Sequence, residues 1–387
     1  MSRIEIRPIQ LPGDVAKMCK AWWPIYADDP HWVPPLVFER KDFLNPAKNP
    51  YFKHADVQMF MAFSDGNPVG SISAQVDHEL QKTEPGVGMF GFFEFIDDKE
   101  VSKGLIDAAT GWLREKGMKV ARGPFSFNTN HEFGLLVDGF DTDPMIANPH
   151  NRSYYQAHYE AAGLFKVMDW YAYWMDKGEV PPKIEKIADW FMKRNPEIRI
   201  RKLDIKNFDV EAALFREIYN DAWEDNWSHV YMTEEEFYFA AKGLKQIIDP
   251  DLCYFVYMGD ELAGASITLP DYNQIVKKMN GGLFPFGWWH FLTGRSKIDA
   301  LRVWVLGIKK KFQKLPLGAP LYLQTWKDGK KRDIRGAEAS LILETNVRMR
   351  GALEKLTAEI YKTYRTYEID LVEGGLGDAA QNPHGGE

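Results

Sequence analysis

The densest polar run in the chain is Asn128-Thr129-Asn130-His131-Glu132. It follows a stretch that reads as a strand, Val120 to Phe127, and precedes apolar Phe133 to Val137. A loop at a strand end is where sites tend to lie. His131 or Glu132 could serve as a base, directly or through water, and Asn128 and Asn130 could hold a carbonyl or a hydroxyl. An Asn-rich turn that caps its own backbone carries the same residues. Glu94 is a further candidate base. It sits in Gly91-Phe-Phe-Glu-Phe95, and an apolar setting raises a carboxyl toward the neutral range. Strand alternation could equally turn it to solvent. Tyr154, Tyr155 and Tyr159 fall on one helix-like segment, and Tyr155 and Tyr159, four apart, share a face. His31, His54 and His229 are isolated, and no spacing of His, Asp or Glu supports a metal site.

The elements that must position these residues come twice. Ile4 to Ile9 and Ile198 to Leu203 alternate apolar and polar, as strands with one buried face do. Each leads into a helix-like segment, Asp14 to Trp22 and Asp209 to Trp223. A hairpin follows in each half, turning at Ser64-Asp-Gly-Asn-Pro68 and at Gly259-Asp-Glu261. Next come apolar strands, Met89 to Phe95 and Arg302 to Ile308, and a helix, clearest over Val101 to Lys116. The expected division is an N-terminal domain of residues 1–178, a linker of 179–196, and a C-terminal domain of 197–372. The linker contains Pro181-Pro182 and a short amphipathic helix, Lys183 to Arg194. The Gly-rich stretch 373–387 lacks periodicity and is expected to be disordered.

Composition bounds the rest. The chain has 387 residues, 45% hydrophobic and 14% aromatic, which is enough for two sizeable cores and excludes wholesale disorder. A net charge of −7 argues against nucleic acid spread over a wide surface. No apolar run is long enough to span a bilayer, and Met1 to Gln10 holds no secretory h-region. Two cysteines, Cys19 and Cys253, make no disulfide framework. A cytoplasmic protein is expected.

The repeated order strand, helix, hairpin, strand, helix, strand, helix, strand resembles the GCN5-related N-acyltransferase (GNAT) fold. It implies an α/β (α+β) architecture with a mixed sheet in each half. In that superfamily acyl-CoA enters where the fourth and fifth strands splay, and a loop opening the next helix holds its pyrophosphate. In the second half Gln313 fills the first position of that loop, with Lys314 beside it, and Gly318 and Ala319 its end. Pro316 replaces the middle glycine and has no N–H to offer. Lys297, Lys309, Lys310, Lys311 and Lys314 could attract phosphates or form a solvated face. In the first half the same positions fall on Asp97, Glu100 and Ser102, and the two acidic residues would repel phosphates. The superfamily's next helix signature is matched at Tyr159-Glu-Ala-Ala-Gly163, where the tyrosine protonates the departing thiolate, and at Asn346 in the second half. Asn346 is also a plausible helix N-cap.

Longer stretches resemble the bacterial ceramide synthase-like family. They include Trp32-Val-Pro-Pro-Leu36, Asn49 to Asp56, Gly123 to Phe140, Leu269 to Asn273, Gly282 to Gly287 and Leu343 to Asn346. The resemblance implies transfer of a fatty acyl group from acyl-CoA to the amine of a sphingoid-type base, with no metal. Gly281 to Gly294 packs Phe, Trp and Leu between glycines and before Arg295 and Lys297. It could line an acyl tunnel, fill a core, or contact the inner face of a membrane that supplies the amine. Two other functions stay open: an acetyl-CoA-dependent N-acetyltransferase on a small or peptide amine, and a non-catalytic binding protein of the same fold.

Overall fold

The computed structural model describes residues 3–372. The stretch from Glu373 onward lies outside the described residues. The first half runs β1 (Ile4–Ile9), α1 (Val15–Ile25), α2 (Val37–Phe43), β2 (Ala55–Ser64), β3 (Asn67–Asp77), β4 (Val87–Phe95) and α3 (Lys99–Glu115). It continues through β5 (Val120–Gly123), β6 (Phe125–Ser126), β7 (Glu132–Phe133), β8 (Leu135–Asp138), α4 (Tyr155–Ala161) and β9 (Phe165–Asp176). After α5 (Pro182–Arg194), the second half runs β10 (Ile198–Lys202), α6 (Phe208–Trp223), α7 (Glu234–Leu244), β11 (Cys253–Met258) and β12 (Glu261–Pro270). Then follow α8 (Asn273–Met279), α9 (Gly287–Gly294), β13 (Ala300–Ile308), α10 (Gly318–Lys330), β14 (Gly336–Leu343), α11 (Val347–Lys355) and β15 (Glu359–Asp370).

Local chemistry accounts for these elements. The β2–β3 turn is two residues, Asp65 and Gly66, both with positive φ, as a tight hairpin requires. In α3 the apolar face buries Val101, Leu105, Ile106, Ala109 and Leu113, and Asp98 caps the start by accepting from the N–H groups of Glu100 and Val101. The expected single strand over Val120 to Phe127 is broken at Pro124, which cannot donate to a ladder.

All but two of the strands join one 13-stranded sheet in the order β1-β2-β3-β4-β5-β15-β9-β14-β13-β12-β11-β10, with β8 beside β15. The halves exchange their last strands. The chain's final strand, β15, completes the first half by pairing with β5, Tyr367 opposite Gly123. The first half's last strand, β9, completes the second by pairing with β14, Gly336 opposite Asp176. The two exchanged strands also pair with each other along their length. The sequence repeats around 179–196, but the sheet runs through that division. Nor is α5 a slack tether: Phe191 packs in one cluster with Leu317 and Leu321 of the second half.

Each half contains one parallel pair, and each pair parts early. β4 and β5 pair only from Val87 to Met89, and β13 and β14 only from Ala300 to Val303. Beyond those points the two strands of each pair are no longer hydrogen-bonded to one another, which leaves a gap in each half.

Candidate active site

The two gaps differ. In the first half a bulge at Phe92, φ 44°, breaks the β3–β4 register between Ser71 and Ser73. The freed backbone groups are already satisfied: the Phe92 N–H donates to Ser126 Oγ at 3.2 Å, and Ser71 Oγ donates to the Phe92 carbonyl at 2.9 Å. The chain leaving β5 crosses β4 so closely that a Cβ on Gly91 would meet the Phe125 carbonyl oxygen at 1.8 Å. Gln75 pins that crossing by donating to the carbonyls of Phe125 and Phe127. The opened edge of β4 is therefore covered by the protein's own chain. The start of α3 is likewise filled, by the Asp98 carboxylate.

In the second half the gap stays open. Val303 to Ile308 on one side and Ala339 to Leu343 on the other line a cavity of about 1350 Å³. Gln313 stands at its wall, as do Gly318 and Ala319 at the start of α10, where helix N–H groups lack helical partners. The cavity continues into the first half, to Glu94, His131 and Glu132. It is thus one space shared by both halves.

Glu94 is set between two tyrosines. The hydroxyls of Tyr26, just past α1, and Tyr155, on α4, both donate to Oε2, at 2.6 and 2.8 Å. Oε1 takes no hydrogen bond from the described residues. Burial pushes the carboxyl up to about 7, and the two tyrosine hydrogen bonds oppose it. Glu132, by contrast, is clamped by Arg40, whose Nη2 lies 2.6 Å from both oxygens. His131 packs edge-on to Phe43 and Tyr51, and burial drives it down to about 4, so it is neutral and a weak base.

Asn128 does not reach the cavity. Its amide donates to Asp77 Oδ2 at 2.9 Å, and its oxygen accepts from the Asn130 N–H, so it holds the turn. Asn130 reaches the cavity wall but is engaged across the halves, donating to the Val230 carbonyl and accepting from the Tyr219 hydroxyl. Beside it, His54 lies between Asp77 and Glu236 of α7. Burial opposes its charge, but the two carboxylates overcome that and hold it at about 10. The Asn-rich loop therefore serves mainly as a tie between the halves. Tyr159 lines the cavity but is 1% exposed, packed against Phe93 and Tyr367.

Among the expected CoA-loop residues, Lys314 is exposed and off the cavity wall. Lys309, Lys310 and Lys311 are paired with Glu217, with Glu224 and Asp225, and with Glu261. Such surface pairs are weak and exchangeable. Asn346 lines the cavity while its side chain caps α11 through the Met349 N–H. Arg302 and Glu338, buried 3.6 Å apart on β13 and β14, were not anticipated. With Asn148 and Ser340 they form a polar floor where the open gap begins. The charge opening the otherwise apolar strand from Arg302 was the available signal. Among the described residues no group of three His, Cys, Asp or Glu could hold a metal ion.

No protein-family model matches the chain. It is 38% identical to the bacterial ceramide synthase of Caulobacter vibrioides, over 95% of this chain and 98% of that protein. It is also 38% identical to protein YghO of Escherichia coli, over 90% of each. Among solved structures it is similar to a tandem GNAT protein from the clavulanic acid biosynthesis pathway, with a TM-score of 0.57 at 11% identity, covering 96% of this chain and 99% of that one. It is similar as well to a GCN5-related N-acetyltransferase from Sphaerobacter thermophilus, with a TM-score of 0.51 at 12% identity, covering 95% and 96%. These likenesses show a tandem GNAT fold.

Proposed function

The chain belongs to the bacterial ceramide synthase family, and from that membership we propose that it transfers a fatty acyl group from acyl-CoA to the amine of a lipid-like, sphingoid-type acceptor. The observation that carries the reading is the open gap of the second half, continuous with Glu94 of the first through one large cavity. The cavity measures about 1350 Å³, and Leu283, Phe291 and Val303 to Ile308 give it apolar wall that an acyl chain could follow. Acyl-CoA would enter between β13 and β14, its phosphates toward Gln313 to Ala319, with Lys314 and the neighbouring lysines supplying charge from outside. Asn346 would border the same end.

The reaction is direct. Glu94, raised to about 7, takes a proton from the ammonium through the open Oε1. The nitrogen lone pair then forms a bond to the thioester carbonyl carbon, and the carbon–sulfur bond breaks. The nitrogen sheds its second proton as the amide forms, the proton held on Glu94 passes to solvent, and the thiolate leaves with its electron pair and is protonated. Two cavity tyrosines are available for that step, Tyr159 of the first half and Tyr322 of α10. His131 is too weak a base at its lowered value, and Glu132 is held by Arg40, so both shape the pocket beside Glu94. The apolar walls exclude the water that would hydrolyse the thioester.

Purified protein should release free CoA thiol from a long-chain acyl-CoA only when a long-chain amine is present. Screening acyl lengths against an amine panel by thiol release tests this. Turnover of acetyl-CoA with none of long chains would contradict it.

A further inference from the structure

Between α8 and β13 the chain carries an apolar tip that none of the described residues covers. Phe284 is 85% exposed, Phe286 71%, Leu292 69% and Trp289 55%. The base of this tip is firmly built. Trp23 Nε1 donates to Asn280 Oδ1 at 2.9 Å, and the Val37 N–H donates to the Gly281 carbonyl at 3.0 Å. Gly281, at φ +87°, lies so close to the Trp23 ring that a Cβ would meet it at 2.5 Å. The rings are thus held out rather than frayed outward. Contiguous exposed apolar surface of this kind marks an interaction site.

Charge says what kind. Behind the tip, α8 and α9 enclose a notch of about 50 Å³ lined in part by Lys278, His290 and Lys297. Lys277 is paired with Asp143, whereas Lys278, Arg295 and Lys297 are exposed and form no ion pair among the described residues. An acidic protein with net charge −7 therefore presents free cations at its most apolar point. Aromatic rings beside lysine and arginine suit a lipid interface with anionic headgroups. Leu283 and Phe291, inward of the tip, line the main cavity, so the patch adjoins the cavity wall.

We propose that this tip docks the protein on an anionic phospholipid surface, Phe284, Phe286, Trp289 and Leu292 entering the interface and the Lys278–Lys297 notch taking a lipid phosphate. The inference rests in part on the acyl-transfer reading, which gives a reason for a greasy amine to arrive from a membrane.

Flotation of the full chain with phosphatidylcholine vesicles, with and without phosphatidylglycerol, tests it. Wild type should float at least tenfold more with the anionic vesicles, and its tryptophan emission should move to the blue. A Phe284→Ser/Trp289→Ser variant should lose both effects. A Lys278→Glu/Lys297→Glu variant should lose the preference for phosphatidylglycerol. Absence of vesicle binding, or binding untouched by either variant, would overturn the proposal. So would a doubled solution mass that the tip variant halves, since a second copy would then own the face. Thiol release with a long-chain amine and a long-chain acyl-CoA presented in neutral detergent micelles, without vesicles, should be equal in wild type and tip variant. That arm reports on the chemistry alone, and vesicle binding can stand or fall without it.

Discussion

The Tyr155 hydroxyl donates to Glu94 Oε2 at 2.8 Å while accepting from the Phe95 N–H at 2.9 Å. One hydroxyl thus ties the carboxylate to the backbone of its own strand. The bond favours the charged form, which burial disfavours. As the proposed base, Glu94 would act deprotonated, so kcat/KM should rise with pH through about 7. In Tyr155→Phe or Tyr26→Phe that support is lost and the rise should move about one unit higher. A pH–rate profile that stays in place in both variants would remove Glu94 as the base.

The same raised value predicts a stability cost. A carboxyl whose folded value lies above its unfolded value binds its proton more tightly in the folded state. Stability is therefore lost as pH rises from about 4.5 to about 7. Glu94→Gln should be more stable than wild type at pH 8, on the order of 2–3 kcal/mol, with little difference below pH 4. Urea unfolding at the two pH values measures it, alongside a kcat lowered by about 10²–10⁴.

The two helix starts that follow β4 and β13 should behave oppositely toward acyl-CoA. A Cβ on Gly318 meets nothing closer than 3.8 Å, so a larger side chain there folds but intrudes on the cavity. Gly318→Leu should weaken acyl-CoA binding at least tenfold. Asp98→Ala removes a cap, costing about 1 kcal/mol of stability, and should leave binding unchanged. Calorimetric titration of both variants decides which half holds the thioester.

Exchange of β9 and β15 makes each half depend on the other for a strand. Residues 1–178 alone leave β5 without β15, and 197–372 alone leave β14 without β9. Each piece should lack cooperative thermal unfolding by circular dichroism, while the full chain melts in one transition. A separately folded 1–178 would contradict this.

How far the sequence could be read follows from where each signal lies. The hairpin turn at Asp65-Gly66 and the α3 pattern are local, and they were legible. The buried setting of Glu94 was legible because its neighbours in the chain are apolar. Tyr26 was not, because it meets Glu94 from 68 residues away with no local mark. Asn128 misled for the opposite reason: a polar cluster looks alike whether it faces a substrate or, as here, its own turn and Asp77. The strand exchange left no trace, since β9 and β15 carry the same alternation whichever half they complete. The lysines after β13 read as free charge because Glu217, Glu224 and Glu261 lie far away in sequence.

The central claim is amide formation at Glu94 from a long-chain acyl-CoA and a long-chain amine. The direct measurement is mass-spectrometric quantitation of amide and free CoA thiol in one time course, for wild type and Glu94→Gln, from pH 5.5 to 9. The account predicts one amide per thiol, a wild-type rate that climbs through about pH 7, and a Glu94→Gln rate that is low and flat while acyl-CoA still binds. Thiol released without amide, or a Glu94→Gln rate equal to wild type, would contradict it.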